Sequence, residues 1–225
     1  MEKIYDLCLE VLKRLQKSGV LSQIIIIGSW CQYFYKDYFA NVEYSSTIRT
    51  RDIDFLVPAS PKFKEKVDIP ELLKDIGFLL DFSASGHIRL IHPDLIIEFL
   101  VPERGRGRDK PYPLPQLGLN AQSLRYLDLL EQNSMGFKTA GLEVNLPHPA
   151  AFALHKLIIS KRRLKEEKRL RDSQSAHHIL NCLIENGDCD IIKKIYDSLP
   201  KKWKTRILST LEDPEEKDIL ALLDD

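Results

Sequence analysis

The 225-residue chain carries 33 Lys and Arg against 33 Asp and Glu, so its formal net charge is zero; 44% of it is apolar and 29% charged. That is chain enough for one sizeable core with an appendix, and the balance of apolar and charged residues excludes disordered and fibrous classes. Zero net charge excludes a molecule that is drawn as a whole to nucleic acid.

The opening stretch MEKIYDLCLEVLKRL is charged throughout and does not read as a signal peptide. Ile4, Leu7, Val11, Leu12 and Leu15 recur at helical spacing, and Gly19 ends that helix. Ile24 to Ile27 is a β-branched run that reads as a buried strand, broken by Gly28-Ser29. Trp30, Tyr33, Phe34 and Tyr38 then suggest a short aromatic helix, and residues 40–50 a polar loop. Asp52 to Val57 is a second strand, stopped by Pro58. Asp68, Pro70 and Glu71 form a helix start, with Leu72, Leu73, Ile76 and Leu80 as its apolar positions. His87 to Ile91 and Leu95 to Val101 read as a hairpin turning at His92-Pro93-Asp94. Residues 103–118 read as an Arg-, Gly- and Pro-rich loop, and Leu142 to Leu146 as one more strand. From Pro149 the pattern is helical, at about 149–163, 166–186, 189–198 and 201–211 with a short tail. The chain therefore divides near Pro147 into an α/β domain, 1–147, and a helical domain, 148–225. No apolar run is long enough for a membrane span. The cysteines Cys8, Cys31, Cys182 and Cys189 form no CxxC pair, so a reducing cytoplasm is the expected location.

Chemistry concentrates in the two central strands. Alternation puts Ile53, Phe55 and Val57 on one face and Asp52 and Asp54 on the other. Two carboxylates about 7 Å apart on one strand face can share hard divalent cations through oxygen. The same alternation in Ile96 to Val101 sets Ile97, Phe99 and Val101 against Glu98. If that strand lies beside the first, Glu98 joins Asp52 and Asp54. Such a trio suits Mg²⁺ or Mn²⁺ in two-metal phosphoryl or nucleotidyl transfer. Gly28-Ser29, between a strand and a helix, offers backbone N–H groups and a hydroxyl to a phosphate.

Gly-Ser at a strand–helix junction, DxD on the next strand and a carboxylate on a later one resemble the DNA polymerase β-like nucleotidyltransferase superfamily. Pro149 to Lys156 (PAAFALHK) and Arg171-Asp172-Ser173-Gln174 are similar to stretches in bacterial nucleotidyltransferase-fold proteins and, more distantly, in abortive-infection toxin nucleotidyltransferases. The resemblance covers residues 20–180. It implies an α+β nucleotidyltransferase fold, a mixed sheet flanked by helices and followed by an all-helical region, with Mg²⁺ and an NTP donor, ATP first among them. The 22 residues between Ser29 and Asp52 exceed the spacing of minimal members, an insertion that a loop tolerates.

Lys156 falls with Phe152, Ile159 and Arg163 on a second side of its helix, which suggests a cleft wall where Lys156 meets the triphosphate. Asp172 lies on an apolar stripe with Ala176, Ile179 and Leu183 and calls for a cation, Lys156 or Lys168. Each feature also has a plainer reading: a solvated strand face, a helix cap at Ser29, an exposed lysine, a structural ion pair at Asp172. The six histidines form no metal pattern and read as structural or surface groups. The basic stretches 160–171, 193–194 and 201–204 read as solvated helix faces balanced by the acidic tail from Glu212, or as a groove for RNA. Arg104, Arg106 and Arg108 read as a solvated loop or a phosphate clamp. Two functions compete: NMP transfer from an NTP to a hydroxyl of a small molecule, RNA or protein, including the toxin of a toxin–antitoxin pair with an antitoxin-like partner, and an inactive relative that binds nucleotide, RNA or a protein. The intact trio favours the enzyme. A third possibility, a nucleic-acid adaptor built on the helices, requires the basic patches to converge.

Overall fold

The structure, a computed structural model, describes residues 2–46, 50–103, 110–211 and 217–224. Arg49, the arginines of 104–109 and the acidic stretch from Glu212 lie outside the described residues. The chain forms two compact units, Met1–Phe34 with Ser46–Pro147, and Tyr35–Ser45 with His148–Asp225. The excursion of residues 35–45 into the second unit has no counterpart in the linear division near Pro147.

The first unit opens with α1 (Glu2–Lys17), whose Cys8, Val11, Leu12 and Leu15 are fully buried. It ends as expected at Gly19, which adopts φ +75°. Strand β1 (Ile25–Ile27) leads through Gly28 into α2 (Ser29–Phe34), which stops short of Tyr38. Then come β2 (Asp52–Leu56) and α3 (Ile69–Lys74), capped by Asp68, whose carboxylate accepts from the Glu71 N–H at 3.1 Å. Gly77, at φ +91°, closes that helix. Leu80 consequently belongs not to α3 but to β3 (Leu79–Phe82), which pairs with β4 (Ile88–Ile91). The expected hairpin of β4 and β5 (Ile96–Pro102) is present. The expected loop of residues 103–118 holds β6 (Tyr112–Leu114) and a 3₁₀ turn, and the stretch that follows adds β7 (Leu119–Leu124), α4 (Leu127–Gln132) and β8 (Ser134–Thr139). β9 (Leu142–Pro147) pairs with β8 across Ala140-Gly141, both at positive φ, as a two-residue hairpin requires.

The main sheet runs β1-β2-β5-β4-β3, with β7 beside the second half of β5 and β6 on β7. It is mixed: β2–β5 and β5–β7 are parallel and the other pairs antiparallel. Its core includes Ile26, Ile53, Phe55 and Ile97, all fully buried, and the Phe55 and Phe99 rings stack at 5.5 Å. This is an α+β fold with a mixed sheet flanked by helices.

The second unit is built on α5 (Pro149–Ser160) and α6 (Glu166–Glu185), followed by α7 (Cys189–Asp197), α8 (Lys201–Leu208) and α9 (Lys217–Asp224). The side chain of His148 caps α5, accepting from the Ala150 N–H at 3.2 Å through Nδ1. Its Nε2 lies 3.1 Å from the Tyr38 hydroxyl, which donates to Asp188 at 3.1 Å. This chain of bonds ties the 35–45 excursion to the starts of two helices. Among the described residues no helix is long and apolar enough to cross a membrane.

Candidate active site

Asp52 stands exposed at the start of β2, and Asp54 and Glu98 are half-buried. The parallel register pairs Asp54 with Glu98, and Ile53 and Phe55 with Ile97 and Phe99. The apolar side chains thus share one face and the three carboxylates the other, with neighbouring strands about 4.8 Å apart. The carboxylate face is not polar along its length. Beyond Asp54 it continues as Leu56, and beyond Glu98 as Leu100; both join Ile25, Ile27, Leu127 and Leu130 in a buried cluster under α4. The site occupies the strand ends that α4 leaves uncovered.

Gly28 follows Ile27, the β1 partner of Asp54. Its φ is +75°, and a Cβ there would fall on Oδ2 of Asp54. Only a residue without a side chain lets the strand–helix turn come this close to the carboxylate. Ser29, half-buried, is the first residue of α2. Thr50 fixes the approach to β2: its hydroxyl donates to Asp52 Oδ2 at 3.2 Å and accepts from the Asp52 N–H at 3.1 Å.

Burial pushes the Glu98 carboxyl above its ordinary value, the charge of Asp52 pushes it further, and Arg89 and His87 oppose both. Arg89 was not singled out from the sequence, and His87 was read there as a structural or surface group. The signal was available: a hairpin that pairs Ile91 with Ile96 must pair Arg89 with Glu98, as it does. Arg89 in turn pairs with Asp81 on β3, donating to its Oδ2 from Nε at 3.0 Å and also from Nη2.

Lys156 lies in the helical unit, its side chain only 14% exposed and its Nζ 2.5 Å from Asp172 Oδ1. Arg163 reaches the other oxygen of Asp172 at 2.7 Å. The cation that the Asp172 stripe calls for is therefore Lys156 with Arg163, not Lys168. Burial pushes the Asp172 carboxyl up, but the two cations more than reverse this and hold it below its ordinary value. Of the second side expected of α5, Phe152 is 1% exposed and packs edge-on against Tyr35, while Ile159 is half-buried. His155, on the same helix, is buried with Nε2 unpartnered among the described residues, and burial first, then Lys156, lowers it to about 3.

Among the described residues no three His, Cys, Asp or Glu side chains form a ready-made metal-ligand set. A cavity of about 990 Å³ lies in the sheet unit past the other end of β2, lined by Pro58, Phe63, Pro102, Tyr112 and Leu117 among others. It includes none of the three carboxylates.

A sequence match over most of the chain then decides the family. The chain belongs to a nucleotidyltransferase family. Its sequence model matches residues 7–198, which span both strands of the carboxylate face and most of the helical unit. No curated protein matches. Among solved structures the chain is similar to the antibiotic-resistance factor ANT(2'')-Ia in complex with adenylyl-2''-tobramycin, at 10% identity and a TM-score of 0.49, covering 93% of this chain and 97% of that one. The solution structure of ANT(2'')-Ia matches at 10% identity and a TM-score of 0.46, covering 83% and 92%. An antigenic nucleotidyltransferase-like protein from Paracoccidioides brasiliensis matches at 14% and 0.49, covering 97% and 92%.

Proposed function

We propose that this nucleotidyltransferase moves an NMP from an NTP, ATP being the first donor to test, to a hydroxyl of an acceptor, with Asp52, Asp54 and Glu98 holding Mg²⁺ or Mn²⁺. The observation that carries the reading is the β2–β5 register, which seats Asp54 beside Glu98 on one face with Asp52 two residues away. The donor set fits the ion: all three groups are carboxylates, the oxygen ligands that hard divalent cations take. Burial first, and then the charge of Asp52, displace the Glu98 carboxyl upward, which supports the reading because a bound cation would offset both. Bound there, the cations would neutralise the phosphates and activate the acceptor hydroxyl.

The chain's own groups supply the rest. Gly28 and Ser29 offer backbone N–H groups and a hydroxyl beside Asp54, where the triphosphate would lie. The apolar cluster under α4 keeps water from one end of the face. Lys156 braces the helical unit and could reach a triphosphate only by exchanging Asp172 for it. In this reading the sheet unit is the catalytic domain. The acceptor is a small molecule, RNA or protein, and an antitoxin-like partner is one further candidate for the surface.

The test incubates the protein with each α-labelled NTP, Mg²⁺ and cell extract. Wild type should label an acceptor; Asp54→Asn and Glu98→Gln should each reduce labelling by roughly a thousandfold, the scale on which loss of charge stabilisation lowers turnover. Mg²⁺-NTP binding without labelling would leave a nucleotide-binding protein. Equal labelling by wild type and Asp54→Asn would refute the assignment of the carboxylates.

A further inference from the structure

The carboxylate face does not end at Glu98. Register places Arg89 of β4 opposite Glu98 and Asp81 of β3 opposite Arg89, so one row of side chains crosses four strands: Asp54, Glu98, Arg89, Asp81. A parallel row runs Asp52, Ile96, Ile91, Leu79. The two ends of these rows differ. Toward β1 the next residue is Ile27, 4% exposed and held in the cluster under α4. Toward β3 the face is open: the side chains of Arg89 and Asp81 keep 37% and 32% of their exposure, and Leu79 keeps 64%.

Arg89 is also pre-aimed. Asp81 takes two of its donors, Nε and Nη2, on one carboxylate oxygen, while Nη1 has no partner among the described residues. A guanidinium held along one edge presents its remaining N–H groups in a fixed direction, with less side-chain entropy to lose when an oxygen ligand arrives.

We propose that the β3–β4 half of this face seats the acceptor, and that Arg89, held by Asp81, is the residue that recognises it. The proposal rests on the nucleotidyltransferase reading above. In the reaction a bond forms between the acceptor oxygen and the α-phosphorus, the bond from that phosphorus to the bridging oxygen breaks, pyrophosphate carries away the electron pair, and the acceptor proton passes to solvent. An in-line displacement needs the entering and leaving oxygens on opposite sides of the phosphorus. With the triphosphate beside the Gly28-Ser29 turn at the β1 end, the entering oxygen comes from the β4 side. A guanidinium only donates, so the molecule that docks there presents hydrogen-bond acceptors, for which hydroxyl, carbonyl or phosphate oxygens are the natural match, next to the hydroxyl that is modified.

The experiment compares wild type, Arg89→Met, Arg89→Lys and Leu79→Trp. Leu79 is exposed enough that its replacement leaves the fold intact while obstructing the open half of the face. Two quantities are measured for each: Mg²⁺-ATP binding by calorimetry, and label transfer across a dilution series of cell extract. Arg89→Lys, which keeps the charge facing Glu98, should bind Mg²⁺-ATP like wild type, and Arg89→Met should need roughly ten- to a hundredfold more extract for half-maximal transfer, the loss expected for a hydrogen bond to a charged group. Arg89→Lys should recover part of that loss, and Leu79→Trp should shift the extract dependence in the same direction. Dividing the extract into a dialysable fraction and a retained fraction, the latter with and without ribonuclease, tells whether those oxygens belong to a small molecule, a protein or an RNA. An unchanged extract dependence in Arg89→Met and Leu79→Trp overturns the acceptor assignment alone. Loss of Mg²⁺-ATP binding in step with transfer in Arg89→Lys makes Arg89 a nucleotide ligand and overturns it as well. A wild type that labels nothing overturns the nucleotidyltransferase reading, and the acceptor assignment falls with it.

Discussion

Replacing Asp172 by Asn should destabilise the helical unit and leave the sheet unit unaffected. Asp172 is 5% exposed and joins two cations of unequal worth. The Lys156 side chain is 14% exposed, so its ammonium would be left buried and uncompensated. Removing one partner of a buried pair costs about 3–5 kcal/mol. Arg163 is 41% exposed and screened by solvent, which holds its share to under about 1 kcal/mol. Asparagine keeps an oxygen for Lys156, so the expected loss at pH 7 is near the lower bound, about 3 kcal/mol. Lys156→Met should cost a similar amount and Arg163→Met much less. The double variant Lys156→Met/Asp172→Leu should recover most of the loss, because it removes both buried charges.

Urea unfolding read by tryptophan fluorescence suits the test, since Trp203 belongs to the helical unit and Trp30 to the sheet unit. The pH dependence has a definite sign. The folded Asp172 carboxyl lies below its ordinary value of 3.8, so its contribution is fully present above that value and is lost as pH falls through the folded one. The gap between wild type and Asp172→Asn should thus be constant from pH 7 to 5 and shrink below the ordinary carboxylate range. A loss under about 1 kcal/mol at pH 7, or a gap as large in strong acid as at neutrality, would refute a buried pair as the brace of this unit.

Gly28→Ala should cost more than Gly19→Ala, although both sit at φ +75°, because only at Gly28 would the new Cβ meet a carboxylate. The shared backbone strain is about 1–2 kcal/mol, and the excess should appear as lost transfer activity as well as lost stability in paired melts and label assays. Tyr38→Phe removes the hydroxyl between His148 and Asp188 and should lower the stability of the helical unit by about 1–2 kcal/mol, measured by the same urea titration. Phe82→Lys, on the edge strand where Phe82 is 62% exposed and Leu80 48%, should reduce self-association in light scattering while changing stability by less than about 0.5 kcal/mol.

The parts of the fold readable in the sequence are those whose signal is local. Ile25 to Ile27, Asp52 to Leu56 and the β4–β5 hairpin announce themselves by β-branching, by alternation and by a Pro-containing turn. What escaped is short or supported by distant neighbours. LNAQSL becomes β7 because β5 offers an edge for it, and LDLLEQ is too short for helical periodicity to show. β3 continues an apolar run out of α3, and only the positive φ at Gly77 separates the two. Lys156 shows the converse limit. Helical spacing placed it beside Arg163 and offered it, with Lys168, as a cation for Asp172, but it could not choose between the two lysines or show that Arg163 joins in.

The same limit governs the site. Alternation in β2 explains why Asp52 and Asp54 share a face, but it gives no reason for that face to change from aspartate to leucine at position 56. The reason is α4. A carboxylate at position 56 would lie under Leu127 and Leu130, and an unpaired charge there would cost several kcal/mol. Glu98 sits at the margin of this cover, half-buried and displaced upward, while Asp52 stands clear of it. The carboxylate trio therefore begins where a six-residue helix stops covering the sheet. On β5 the same boundary falls between Glu98 and Leu100, and from Glu98 the uncovered row runs on to Arg89 and Asp81, toward the side from which an acceptor can approach.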